Sequence, residues 1–185
     1  MRFADHSDLK GLHAFLSASK YSWVNYDPEK LDTTYRRSLA AQKGSILHEF
    51  ASFAINLKQK QPRTRQTLPM FVNDAIGYKM QSEVVLFYSP NAFGTADAIS
   101  FHKNVLRIHD LKTGVTPASF VQLEIYAALF CLEYRVKPTD IEISLRIYQN
   151  DEVIEHFPPA EDIINIMGKI TAADKIIEAI KAEEL

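Results

Sequence analysis

The chain has 185 residues, of which 46% are hydrophobic and 24% are charged, and its formal net charge is −2. This length supports one domain with a buried core and is too short for two domains of ordinary size. The sequence has no run of 18 apolar residues and no signal-peptide pattern, so we expect a cytoplasmic protein with no membrane partner. The net charge excludes a broad electrostatic attraction to nucleic acid, so such binding would need local basic segments.

The first part of the chain, 1–43, is predicted to form a helical lead. Asp27 is placed to cap a helix that has Pro28 in its first turn. Before this helix, Lys20 offers a cation close to the aromatic ring of Trp23, a combination that non-specific single-strand binders use. The alternative is that Trp23 only anchors a short helix to the core.

The dipeptide Gly44-Ser45 is predicted to end this helix and to start a second one. The second helix has an apolar stripe that we expect to pack on the core: Ile46, Phe50, Phe53, Ala54 and Leu57. His48 lies near the start of this helix, where the positive end of the helix dipole should keep the imidazole neutral. A neutral imidazole can bind a metal ion, although a lone histidine is more commonly a hydrogen-bonded core residue.

A basic segment follows the second helix. Residues 58–65 carry four positive charges and no acidic residue: Lys58, Lys60, Arg63 and Arg65. We expect this segment to attract DNA phosphates, because phosphate contacts dominate the affinity of most nucleic-acid-binding proteins. The alternative is an ordinary solvated loop.

The rest of the chain alternates strands and helices. Alternating apolar residues and turn residues predict strands at 84–88, 93–101, 105–110 and 141–149, and apolar periodicity predicts helices at 118–134 and within 158–185. The pattern of 68–78 assigns no element. This order predicts an α/β protein with a mixed central sheet flanked by helices. We expect a single domain, 1–185, whose core is 44–157 and whose C-terminal helix lies in 158–185.

Two carboxylates and a lysine occupy the predicted hairpin. Asp110 and Lys112 share one face of a strand at a separation of roughly 7 Å, because strand side chains alternate in direction. Asp97 lies on the neighbouring strand, and Glu83 is a reserve metal ligand at the start of the first strand. Such hard oxygen ligands suit Mg²⁺ bound to a substrate phosphate. The alternative for an Asp-x-Lys pair at a strand end is a simple surface ion pair.

Four motifs in a fixed order carry a resemblance to a known family. They are Gly44 to His48, the sequence GTAD at 94–97, DLKTG at 110–114, and QLEIY at 122–126. This series resembles the RecB-like exonuclease branch of the PD-(D/E)xK nuclease superfamily, and it looks closest to the small stand-alone nucleases of bacteriophages. The resemblance implies a restriction-endonuclease-like core. Many of the relatives carry an iron–sulfur cluster on four cysteines, which Cys131 alone cannot hold.

The resemblance also implies a set of functional residues. The implied catalytic set is Asp97, Asp110, Lys112, Gln122, Tyr126 and His48. The implied ligands of one or two Mg²⁺ or Mn²⁺ ions are Asp97, Asp110, the Leu111 carbonyl and His48. The lysine would orient the attacking water or neutralise charge on the phosphate, and Gln122 and Tyr126, four residues apart on one helix face, would position the DNA strand.

The expected function is hydrolysis of DNA phosphodiester bonds by a metal-dependent nuclease. The resemblance favours an exonuclease in phage DNA recombination, repair or degradation, acting in the bacterial host cytoplasm with DNA and a recombination or phage protein as partners. One alternative is a non-catalytic nucleic-acid-binding or assembly protein on the same fold, because a fold does not determine a function. Another is a nuclease subunit that is active only within a larger complex.

Overall fold

The structure is a computed structural model that describes residues 4–184. The chain divides into two compact units, one ending at Lys43 and one beginning at Gly44. Helix α1, Pro28–Asn56, supplies residues to both units. No helix within residues 4–184 is long and apolar enough to cross a membrane.

The first unit contains two 3₁₀ segments, Ser7–Leu9 and Ala18–Asn25, before helix α1 begins. Asp27 caps α1 as predicted, because its carboxylate accepts a hydrogen bond from the Lys30 N–H at 2.7 Å. The indole N–H of Trp23 donates to the Ser17 carbonyl at 2.9 Å. The Trp23 ring is therefore tied to its own segment.

Helix α1 does not break at Gly44, so the prediction of two helices is wrong. A glycine inside a helix costs about 1 kcal/mol relative to alanine, which the continuous helix tolerates. Its presence has a packing reason, since a Cβ atom built on Gly44 would lie 2.7 Å from the Oγ1 atom of Thr113. His48 therefore lies in the interior of a helix and not near a helix N-terminus.

The predicted apolar stripe of α1 is also mostly wrong. Of its five residues only Ala54 is buried, and the other four are between 43% and 63% exposed: Ile46, Phe50, Phe53 and Leu57. The buried face of this part of α1 carries the small residues Ala51 and Ala54, together with Ile55. Helical periodicity shows which residues share a face, but it does not show which face packs. The small residues allow close approach, and the Ser52 hydroxyl lies 2.9 Å from that of Ser82.

The second unit is built on a five-stranded sheet in the order β1-β2-β3-β4-β5. The strands are β1 Gln81–Ser89, β2 Ala92–His102, β3 Val105–Leu111, β4 Glu142–Gln149 and β5 Glu152–His156. Neighbouring strands are antiparallel except β3 and β4, which are parallel. The predicted α/β class, with a mixed sheet flanked by helices, is confirmed.

Three helices complete this unit: α2 Thr67–Gly77, α3 Val121–Tyr134 and α4 Ala160–Glu183. Helix α2 occupies the segment to which the sequence assigned no element. Helix α3 is the crossover between the parallel strands β3 and β4. It begins three residues later than predicted, and its first turn is not enclosed, because Val121 is 55% exposed. Gln122, the next residue, is exposed as well.

The sheet separates two hydrophobic cores. The larger core contains most of α3, residues of all strands from β1 to β4, and Ile163 of α4. The smaller core joins α1 and α2 to the sheet through Ala98, Leu111 and Tyr148. Ile147 lies in the larger core and the next residue, Tyr148, in the smaller one, as the alternation of a strand requires.

Candidate metal centre

The strands β1 and β2 are irregular where their carboxylates face each other. Ala96 lies in the larger core and Ala98 in the smaller one, although residues two apart on a regular strand point to the same side. The pairing register on either side makes Glu83 the partner of Asp97. Glu83 has a left-handed backbone with φ of 53°, which costs about 1–2 kcal/mol for a residue with a Cβ atom. Strain of this kind in a strand commonly marks a functional site.

Three potential metal ligands converge at this irregularity. His48, Glu83 and Asp97 each offer one ligand atom, and these atoms all lie within 4.8 Å of one another. His48 Nδ1 is 3.4 Å from Asp97 Oδ2. Helix α1 supplies the imidazole, and the strands β1 and β2 supply one carboxylate each. Glu83, only a reserve ligand in the sequence, therefore lies with the main candidates.

The protonation of His48 differs from the prediction. The hydrogen bond to Asp97 is the largest influence on the pKa of His48, and it raises that pKa above the ordinary value of 6.5. The predicted neutralising effect of a helix N-terminus is wrong, because α1 begins twenty residues earlier, at Pro28. A cation bound here would have to displace the imidazole proton, so metal binding should weaken at lower pH.

Asp110 is the most enclosed carboxylate of the site. Its residue is 2% exposed, and its pKa is raised first by burial and then by the charge of Asp97, while Lys112 acts in the opposite direction. Asp97 accepts a hydrogen bond from the Leu111 N–H at 2.8 Å, which joins the middle of β2 to the end of β3. The two aspartates thus lie side by side, as the predicted hairpin requires.

One oxygen of Asp110 has no hydrogen-bond donor among the described residues. Lys112 Nζ donates to Oδ1 at 3.2 Å, while its 2.9 Å contact with Oδ2 is an ion pair without hydrogen-bond geometry. The charge of Lys112 therefore balances Oδ2 without a hydrogen bond, which leaves this oxygen able to bind a metal ion as well. The donor set and this oxygen together fit a hard divalent ion.

A chain of hydrogen bonds extends from the lysine to helix α3. Lys112 Nζ donates to Gln122 Oε1 at 2.7 Å, and Gln122 Nε2 donates to the Tyr126 hydroxyl at 2.9 Å. The ring of Tyr126 lies against Gly94, where an added Cβ atom would be 2.8 Å from Cε1. The glycine of the GTAD motif therefore provides space for the tyrosine of the QLEIY motif.

The structure thus brings the six implied catalytic residues together, but it does not connect the predicted nucleic-acid-binding cations to them. The four basic residues of 58–65 are exposed in the loop between α1 and α2 and form no ion pair within residues 4–184. This loop is held by the Asn73 side chain, which accepts from the Gln61 N–H at 2.9 Å and donates to the Gln61 carbonyl at 3.1 Å. Lys20 is exposed in the first unit.

The sequence pattern did not indicate Thr113 as a residue of the site, and it predicted Glu83 only as a reserve metal ligand. Thr113 directly follows Lys112 and packs on Gly44, which lies 69 positions earlier in the chain. Glu83 offered one sequence clue, since it occupies a strand start that was expected to pair with the strand of Asp97. Its left-handed backbone has no counterpart in the residue pattern, because glutamate rarely adopts that conformation.

No family model, curated protein or solved structure matches this chain. The chemistry of the candidate metal centre therefore has to be inferred from its own residues.

Proposed function

We propose that the protein is a cytoplasmic, metal-dependent nuclease that hydrolyses phosphodiester bonds of DNA. The observation that carries this proposal is the cluster of His48, Glu83 and Asp97 next to the buried Asp110, which is ion-paired with Lys112. Carboxylates and one imidazole suit Mg²⁺ or Mn²⁺. A divalent ion and a lysine ammonium both attract a phosphate, which makes a phosphodiester the natural substrate.

The residues have distinct parts in this reaction. His48, Glu83, Asp97 and Asp110 would hold the ion, which supplies a Lewis acid for the phosphate and lowers the pKa of water. Lys112 is fixed between Asp110 and Gln122 and presents a positive charge for the attacking water or the charge that develops on the phosphate. Gln122 holds Lys112 from one side and is itself bonded to Tyr126, and both residues would offer polar atoms to the substrate strand.

The arrangement of the strands supports the resemblance to PD-(D/E)xK nucleases. Three antiparallel strands, a crossover helix, and a fourth strand parallel to the third form the sheet, and the acidic residues lie on the second and third strands. The chain of hydrogen bonds from Lys112 through Gln122 to Tyr126 supports the RecB-like exonuclease branch. We therefore propose an exonuclease that acts in DNA recombination, repair or degradation in a phage setting.

The test is incubation of the purified chain with end-labelled linear DNA and covalently closed circular DNA. We expect linear DNA to be degraded with Mg²⁺ or Mn²⁺ and to survive with EDTA, while circles remain intact. Lys112→Ala should lose nearly all cleavage, and Lys169→Ala, a change at an exposed lysine of α4, should keep it. Cleavage of closed circles would refute the exonuclease, and metal-independent cleavage would refute the proposed chemistry.

A further inference from the structure

A small pocket has Lys112 among its lining residues. It has a volume of about 230 Å³ and lies among α1, the start of α2, the end of β3 and the turn between β4 and β5. A single water molecule takes up about 30 Å³, and pockets for drug-sized ligands begin at about 300 Å³. The pocket therefore admits one small ring system and not a duplex.

The walls of the pocket are fixed before any ligand binds. Thr67, at the start of α2, exchanges hydrogen bonds with Asp151: the carboxylate accepts from the Thr67 N–H at 2.8 Å and from its hydroxyl at 3.0 Å. The Asp151 N–H donates back to Thr67 Oγ1 at 2.7 Å. Asn150 and Asp151 both have left-handed backbones, as a tight hairpin turn requires. These bonds join α2 to the β4–β5 turn, so the pocket keeps its shape.

The lining combines apolar side chains with one carboxamide that has no hydrogen-bond partner among residues 4–184. Leu47, Leu68 and Leu111 supply the apolar surface. The Thr67 hydroxyl is already engaged by Asp151, whereas the Asn150 carboxamide makes no hydrogen bond to another residue of 4–184. A carboxamide presents a donor and an acceptor together, which is the pattern that matches the edge of a nucleobase. Among residues 4–184 the lining includes the cation Lys112 and no acidic side chain, which suits a phosphorylated ligand.

We propose that this pocket holds the base of the nucleotide next to the phosphate that is cut, a role that rests on the proposed nuclease function. A base can enter only after it has left the stack, because the pocket has room for a single ring system. Unstacking is easiest at a strand end, where a base has a neighbour on one side only. The pocket would thereby favour cutting at an end over cutting within a duplex.

Binding of deoxyadenosine monophosphate, measured by calorimetry, tests the pocket without turnover. We expect Asn150→Gly to weaken binding about fivefold, as loss of one neutral hydrogen bond does, and Leu47→Trp to abolish it by filling the pocket. Asn104→Gly is the matched control, because Asn104 also has a left-handed backbone in a hairpin turn. Glycine removes the strain of that backbone conformation equally at both positions. Equal affinity in the wild type and the three variants would contradict the proposal that this pocket binds a base.

Cleavage of two labelled single strands separates this proposal from the proposed function. The strands are identical except that one has abasic residues at both ends. We expect the wild type and Asn104→Gly to degrade the strand with terminal bases at least tenfold faster, and Leu47→Trp to degrade both strands at the slower rate. Equal rates on both strands in the wild type would contradict base binding by the pocket but would still support the proposed nuclease activity. No cleavage of either strand would overturn the nuclease, and the calorimetry would still decide the pocket.

Discussion

At the scale of single residues, Asp110 shows why the candidate centre calls for a cation. Burial and the nearby Asp97 both raise the pKa of Asp110, and Lys112 offsets them only in part. Two adjacent carboxylates repel each other when both are ionised, which disfavours the charged form of Asp110. A divalent ion held by these carboxylates would offset the repulsion and would supply a second positive charge beside the ammonium of Lys112.

The first prediction separates the metal ligands from the lysine. Ca²⁺ binds similar oxygen ligands with looser geometry, so it should raise the melting temperature of the wild type while supporting little cleavage. At a hundredfold excess over its dissociation constant, the shift should be about 5 to 10 °C. Asp110→Asn removes a charged ligand and should shrink the shift. Lys112→Ala should keep it, because loss of a nearby positive charge favours a bound cation.

Melting curves with and without Ca²⁺ check this prediction. Asp174→Asn is the control, since Asp174 is bound to Ser89 and Asn91 at another part of the sheet. A shift that stays the same in Asp110→Asn and in Asp97→Asn would mean that the ion binds elsewhere.

At the scale of the elements, glycines set how closely the helices approach the strands of the site. Gly94 of β2 makes room for Tyr126 of α3, and Gly44 of α1 makes room for Thr113 after β3. Each contact joins an element that carries a candidate metal ligand to a part of the chain that follows Lys112. The helices are therefore positioned by the absence of two side chains.

The second prediction concerns Gly94→Ala. The new methyl group must displace the Tyr126 ring, which overpacks the interface at a cost of about 1–3 kcal/mol and breaks the Gln122 to Tyr126 hydrogen bond. DNA cleavage should fall with it. In a Tyr126→Ala background the same change should cost little, so chemical unfolding of the four proteins in the cycle measures the coupling. Gly168→Ala in α4, where a Cβ atom meets no heavy atom within 4 Å, should instead be neutral or stabilising.

These contacts also show how much the sequence can predict. The strands around Asp97 and Asp110 follow from local alternation, and the Lys103-Asn104 turn fixes their pairing. The half of the site that lies on this hairpin could therefore be predicted from the sequence. The surroundings of His48 were not, because Gly44 resembles a helix break until its contact with Thr113 is known. Which face of α1 packs depends on small residues meeting a distant strand. Local patterns contain the elements and their periodicity, but not the long-range contacts that orient them.

At the scale of the whole molecule, a buried polar network lies in the smaller core on the opposite side of β3 from Asp110. His109 has no solvent exposure, and its Nδ1 atom lies 3.2 Å from the Tyr148 hydroxyl, which is 2.6 Å from an Asp74 oxygen. The rings of His109 and Tyr78 also form a T-shaped contact. Burial, followed by the charges of Arg146 and Arg107, lowers the pKa of His109 to about 3. The folded protein therefore keeps this imidazole neutral.

The third prediction follows from the difference between the folded and the unfolded pKa of His109. The unfolded chain binds a proton near pH 6.5, whereas the folded chain does so only near pH 3, so the stability from the neutral imidazole is complete above pH 6.5 and is lost as the pH falls toward 3. At pH 5 the loss should be on the order of 2 kcal/mol. His109→Gln replaces the imidazole with a side chain that does not titrate, so the free energy of unfolding of this variant, measured in urea from pH 7 to pH 5, should fall less steeply.

The control is His102→Gln, at the exposed end of β2, which should match the wild type. Other titrating groups, including His48, are common to all three proteins and cancel in the comparison. Parallel curves for the wild type and His109→Gln would show that His109 can accept its proton in the folded state.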